Sequence, residues 1–183
     1  MGYHILAVEP CLNMLDQLTS KEGASSVRTF NGKMQDFQSD TPFDMAICVF
    51  TVLLYLLARE SFNKSVKAAA KAIRPGGLLL IDIPSKAIFQ NHHSSTHLVE
   101  RSVTVSPSKN DIYLYSEDIT MKQPGRVDSY SDRFQIKYWK VDDVLGVLSD
   151  NNFQIEKDMS DDFAGSGSRY LLMKKKEMAT TFL

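Results

Sequence analysis

Cysteine is scarce in this chain of 183 residues: the two present, Cys11 and Cys48, lie far apart, one just after a short apolar run and one inside another. Two isolated thiols leave no disulfide framework to read and fit buried, reduced cysteines, for which a reducing cytoplasmic compartment is the simplest setting. A basic excess is also missing. Lys and Arg number 21 against 22 Asp and Glu, a formal net charge of −1, so nothing marks the chain for nucleic acid or an anionic membrane surface. The one basic run, Lys174 to Lys176, reads as a solvated strand end. Long apolar runs are absent as well. The longest, Met45 to Ala58, is too short to span a bilayer and contains Thr51, and the N-terminus has no charged segment leading into an apolar signal region. His92, His93 and His97 have no Cys or carboxylate at ligand spacing, so no metal site is expected. With 43% hydrophobic and 23% charged residues and no internal repeat, what remains is one domain with one sizeable core, residues 1–183.

What is present is organised around Tyr3 to Leu15. Ile5 to Val8 is a short apolar run with the pattern of a buried strand, and Pro10 cannot extend a ladder but suits the first turn of a helix. Glu9 is thereby placed at the carboxyl end of a strand. In an open α/β sheet that edge is where ligands bind, and a carboxylate there can accept both hydrogen bonds of a ribose diol. A solvated residue at a strand end is the plainer reading, and this stretch alone leaves both open.

The rest of the chain alternates in the same way. Leu12, Leu15 and Leu18 recur at helical spacing, with Met14 beside them and Gly23 placed to end the helix. Val27 to Phe30 predicts a second strand, followed by the polar segment to Asp36, a second edge carboxylate. Phe43 to Phe50 is continuous and apolar, the pattern of a central strand buried on both faces. Glu60 to Ile73 has Phe62, Val66, Ala69 or Ala70 and Ile73 on one face and Lys64, Lys67 and Lys71 on the other, an amphipathic crossover helix. Arg74-Pro75-Gly76-Gly77 is expected to stop it before a strand from Leu78 to Ile83. Strand, helix and strand make a right-handed βαβ unit, so the fold class is α/β.

After Pro84 the rhythm changes. Val99 to Val105, Ile112 to Met121 and Phe134 to Trp139 are β-rich and separated by turn formers, which predicts an antiparallel β insertion, a cap over about residues 85–139 that covers the carboxyl edge of the sheet. A helix follows at Val141 to Leu148. Phe153 to Glu156 and Arg169 to Lys174 are then two strands joined by a connection too short for a crossover helix, hence an antiparallel pair. Tyr55, Tyr138 and Trp139 are candidates for a substrate pocket, with aromatic core as the alternative. Asp161 and Asp162 suit either a cationic amine or a solvated acidic loop.

Taken together, the Ala-Val-Glu-Pro…Asn-Met-Leu hinge, Gln35-Asp36-Phe37, Phe43-Asp44 opening a strand, Ala-Ile-Arg-Pro-Gly-Gly-Leu-Leu-Leu-Ile and the terminal Ser-Arg-Tyr-Leu-Leu-Met-Lys-Lys resemble the class I S-adenosylmethionine-dependent methyltransferases, and the insertion resembles that of their small-molecule members. The resemblance implies a Rossmann-like sheet, mostly parallel with an antiparallel C-terminal pair, and S-adenosyl-L-methionine as cofactor. It implies that Glu9, with Pro10, takes the ribose hydroxyls and that Met14 packs on the adenine. It places Asp36 at the adenine amine with Phe37 beside it, and Phe50 and Thr51 at the cofactor's edge near the transferred methyl. Methyl transfer to a nitrogen or oxygen of a small molecule is the implied activity, for which a catalytic base can be absent. His92 and His93 read most plainly as solvated loop residues, and their functional use would be as a base that deprotonates the acceptor, since a histidine can accept a proton near neutral pH.

One part of the family pattern has no counterpart. The family opens with a strand and a Gly-rich turn against the methionine end of the cofactor, whereas this sequence starts at Met1-Gly2-Tyr3, where the family enters its second strand. Re-pairing of the opening strand with the one ending at Phe50, or a strand from another chain, is expected to close the space, and the exposed edge makes a homodimer the expected assembly. The alternative function is a non-catalytic methyltransferase-like binding or regulatory protein that has lost cofactor binding through N-terminal truncation. A nicotinamide-dependent oxidoreductase shares the strand-end carboxylate, but it too needs a Gly-rich turn and leaves the closing antiparallel pair unexplained.

Overall fold

The computed structural model describes residues 2–177. The chain opens with β1 (Ile5–Glu9), α1 (Leu12–Thr19) and β2 (Val27–Asn31), then β3 (Phe43–Cys48), α2 (Arg59–Ala72) and β4 (Ile73–Pro84). Four further strands follow, β5 (His92–Ser95), β6 (Val99–Pro107), β7 (Ile112–Gln123) and β8 (Arg126–Lys137), and the chain closes with α3 (Val141–Asp150), β9 (Phe153–Asp158) and β10 (Ser168–Lys175). No helix among the described residues is long and apolar enough to cross a membrane.

Three sheets result. β1 and β2 pair in parallel. β3 pairs in parallel with β4, and β10 lies antiparallel between β4 and β9, giving a mixed sheet in the order β3-β4-β10-β9. β5 to β8 form an antiparallel meander of their own. The core lies between the mixed sheet and two helices. Phe62, Val66 and Ala70 of α2 and Val144, Val147 and Leu148 of α3 pack on Leu79, Ile81 and Ile83 of β4 and Leu171 and Met173 of β10. Each large side chain sealed here contributes about 1.5–3 kcal/mol of burial. Glu60 in the first turn of α2 and Lys71 in its last complement the helix dipole, as do Asp142 and Asp143 at the start of α3.

Five expectations are corrected. β1 does not re-pair with β3: the two stand in different sheets, and neither has a strand on its remaining edge among the described residues. β3 is therefore an edge strand and not central, with Met45 40% and Ile47 65% exposed, because nothing covers the outer side that its apolar sequence suits. Cys11 is exposed, since it follows the strand and is not packed beneath the helix, while Cys48 is buried; both are free thiols. Lys175 is not a solvated end: its ammonium donates to the carbonyls of Ala70 and Ile73, the latter at 2.7 Å, and so closes the C-terminus of α2. That contact is needed because α2 passes straight into β4 at Ile73, with Arg74-Pro75-Gly76-Gly77 inside the strand and not between helix and strand.

Candidate active site

The carboxyl ends of the parallel strands carry the polar groups. Glu9 ends β1 and pairs in register with Asn31, which ends β2. One Glu9 oxygen accepts the Cys11 N–H at 2.8 Å, just ahead of α1, and its second oxygen has no protein donor among the bonds of the described residues. The Asn31 amide donates to the carbonyls of Glu9 and Pro10, each at 3.1 Å, tying the two strand ends together. Asp36 lies in the 3₁₀ turn Met34–Asp36 just beyond, exposed, with the half-buried ring of Phe37 edge-on to Phe30 at 5.4 Å. Met14 is exposed on α1.

β3 ends in a sharper feature. Phe50 and Thr51 both have left-handed backbone, at φ 63° and 64°, and Phe50 is 82% exposed. The Thr51 N–H donates to both carboxylate oxygens of Asp82, which stands near the carboxyl end of β4. Burial pushes the Asp82 carboxyl above its usual range, opposed in part by the hydrogen bond from the Thr51 N–H. Cys48, which ends β3, is driven up to about 12 by burial first and by the Asp82 charge second, so it is an inert thiol. The 3₁₀ turn Val52–Tyr55 follows.

The meander closes over this turn. Residues directly opposed in an antiparallel ladder share a face, so Tyr115 with Phe134, and Glu117 with Asp132 and Val103, lie on one side of it. The rings of Tyr115 and Phe134 stack at 4.8 Å, and Tyr55 packs on Phe134 at 5.6 Å, which joins this face to the end of β3. The Arg101 guanidinium pairs with Glu117 and donates to the Tyr115 hydroxyl at 3.1 Å. Burial raises the Tyr55 phenol above its ordinary value, reinforced by the charges of Asp132 and Glu117. Aromatic walls, two carboxylates and one guanidinium thus meet beside Tyr55, an arrangement suited to a small polar molecule.

The expected site residues separate accordingly. Glu9, Pro10, Asp36, Phe37, Phe50 and Thr51 all lie at or just past strand ends, and Tyr55 joins them to the meander. His92 and His93 are in β5 and not in a loop; His92 opposes Val103 and shares the aromatic face, whereas His93 opposes Ser102 on the other face. His93 thus lies on the face opposite to Tyr115 and Phe134. Tyr138 and Trp139 line a shallow depression of about 460 Å³ with Arg59 and Lys137 that shares no residue with the strand-end group. Trp139 itself is 5% exposed and stacked on Phe62 at 4.7 Å, so most of its ring belongs to the core. Asp161 and Asp162 are exposed, the latter paired with Lys157 at 3.3 Å. Sequence reasoning missed Asn31, Asp82, Tyr115, Glu117 and Phe134. For Asp82 a signal existed, a lone acid in an otherwise apolar strand.

No family model and no curated protein sequence matches the chain. Solved structures do, and the fold is that of the class I S-adenosylmethionine-dependent methyltransferases. A S-adenosylmethionine-dependent methyltransferase from Clostridium acetobutylicum superposes with a TM-score of 0.80 at 14% identity, over 93% of this chain and 74% of that one. An amino pentose methyltransferase from Micromonospora echinaspora, bound to S-adenosylmethionine, gives 0.78 at 15% identity over 94% and 74%. A sugar N-methyltransferase from a Streptoalloteichus species gives 0.67 at 17% identity over 96% and 81%.

Proposed function

We propose that this protein transfers a methyl group from S-adenosyl-L-methionine to a nitrogen or oxygen of a small molecule. The carrying observation is the Glu9–Asn31 junction: within this fold, a carboxylate held by one oxygen at the end of β1 keeps the other for a ligand, and Asp36 follows at the end of the next strand. Those acceptors fit the ribose diol and adenine amine of the cofactor, with Met14 and Phe37 as apolar contacts for the base. Similarity to methyltransferases of amino pentose and sugar substrates supports a small-molecule acceptor.

The cofactor supplies an electrophilic methyl on a sulfonium. The protein's part is to hold an acceptor in line and keep water out, so positioning carries most of the rate. Phe50 and Thr51 border the cofactor's reactive end. Tyr55, Tyr115 and Phe134 form an apolar wall for the acceptor, while Glu117 and Asp132 accept from its hydroxyls or amine. His92 is placed on the same face as a candidate to take the acceptor's proton.

Titration calorimetry with S-adenosylmethionine and S-adenosylhomocysteine tests this reading. Saturable binding is expected, lowered at least about tenfold in Glu9→Ala and weakened in Asp36→Ala, the size of a lost charge-assisted hydrogen bond. Glu9→Gln keeps an acceptor for the Cys11 N–H and separates that local bond from ribose recognition. A folded sample that binds neither compound overturns the reading and leaves a non-catalytic binding role.

A further inference from the structure

Two consecutive left-handed residues, neither of them glycine, are rare, and threonine, branched at Cβ, is among the least suited to that backbone. Phe50 and Thr51 adopt it at φ 63° and 64°. Such a turn persists only where its surroundings over-determine it, and such strain gathers at functional sites. The surroundings here are specific. Asp82 is 1% exposed, and both of its oxygens accept the Thr51 N–H at 3.1 Å. At the far end of the same segment the Trp139 indole N–H donates to the carbonyls of Leu53 and Leu56, at 3.2 and 3.1 Å. Residues 51–56 are therefore gripped at both ends. Exposed Phe50 stands at one end, and Tyr55, against the Phe134 ring of the meander, at the other.

A glycine at position 51 takes this conformation without strain and without a buried carboxylate to hold it. What Thr51 and Asp82 provide together, and glycine does not, is a fixed backbone beneath Phe50. We propose that Asp82 is a positioning residue: through the Thr51 N–H it fixes the turn that sets Phe50 and Thr51 against the bound cofactor and aims Tyr55 at the acceptor. This rests on the methyltransferase reading above.

The test combines hydrogen exchange at the Thr51 amide, measured without ligand, with calorimetry using S-adenosylhomocysteine. In Asp82→Ala the Thr51 amide loses its protection and affinity falls about tenfold, whereas Asp82→Asn, which keeps an acceptor oxygen, stays within about threefold. A purely structural role predicts wild-type affinity in both folded variants. Should Asp82→Ala fail to fold, Asp82→Ser, polar but too short to reach Thr51, takes its place. Lost protection with wild-type affinity makes Asp82 structural only, and retained protection removes the clamp altogether. A wild-type chain that binds no S-adenosylhomocysteine overturns the functional reading and the positioning role with it, and Thr51 exchange then still reports on the clamp by itself.

Discussion

Cys11 and Cys48 show how far one side chain's surroundings outweigh its identity. Cys11 is exposed just after β1, whereas Cys48 is buried at the end of β3 with its thiol pushed up to about 12. At a pH of about 8, that value leaves roughly one Cys48 molecule in ten thousand as thiolate, and burial denies even that fraction to a reagent. Titration of the folded chain with a thiol-reactive disulfide is expected to report one fast thiol, two after denaturation, and almost none in folded Cys11→Ser. Two fast thiols in the folded wild type would place Cys48 at the surface. The residues proposed to bear on function divide along the same line. Glu9 and Asp36 were legible because a strand end followed by a turn is local information. Asp82 and the Tyr115–Phe134 pair were not, because their partners are set by strand register across sequence separations that no local pattern encodes.

At the scale of the element, β4 is the most constrained. Its first residues carry the bulge opposite β3 between Phe43 and Met45, and Gly76 sits there at φ 73°. A Cβ on Gly77 would come within 2.9 Å of the carbonyl oxygens of both Arg74 and Asp44 and 2.6 Å of an Ile73 methyl. Backbone cannot swing aside as a side chain can, so Gly77→Ala is expected to destabilise the fold by about 1–3 kcal/mol. Urea denaturation should show a lower midpoint at unchanged slope, and a wild-type midpoint would mean that the bulge yields freely. Periodicity located α2 and the apolar part of β4 in the sequence, but it read Arg-Pro-Gly-Gly as a break between them. The strand runs through that stretch because the bulge absorbs the proline and both glycines while Lys175 satisfies the open carbonyls of the helix. The antiparallel pairing of β9 with β10 was legible from the length of their connection alone.

The whole molecule is governed by the division of its sheet. A continuous apolar sequence states what a strand is fit to meet and not what it meets, which is why Phe43 to Phe50 reads as central yet forms an edge. β1 and β3 each leave one edge unpaired among the described residues, and exposed Ile5, Met45 and Ile47 lie on these strands. Flat apolar edges pair with other chains unless a charge or a bulge blocks them, and a net charge of −1 supplies little repulsion between copies. Self-association through this edge, as a homodimer, is therefore expected. Light scattering over a concentration series should give a mass that rises above that of one chain. Ile47, 65% exposed, is the position to block, because a lysine there charges the free edge without entering the core. Ile47→Lys should hold the mass at that of a monomer with the thermal midpoint unchanged within about 2 °C, as for a surface change of a few tenths of a kcal/mol. If wild type stays monomeric throughout the series, the edge is not a pairing site. If Ile47→Lys associates as wild type does, the contact lies elsewhere.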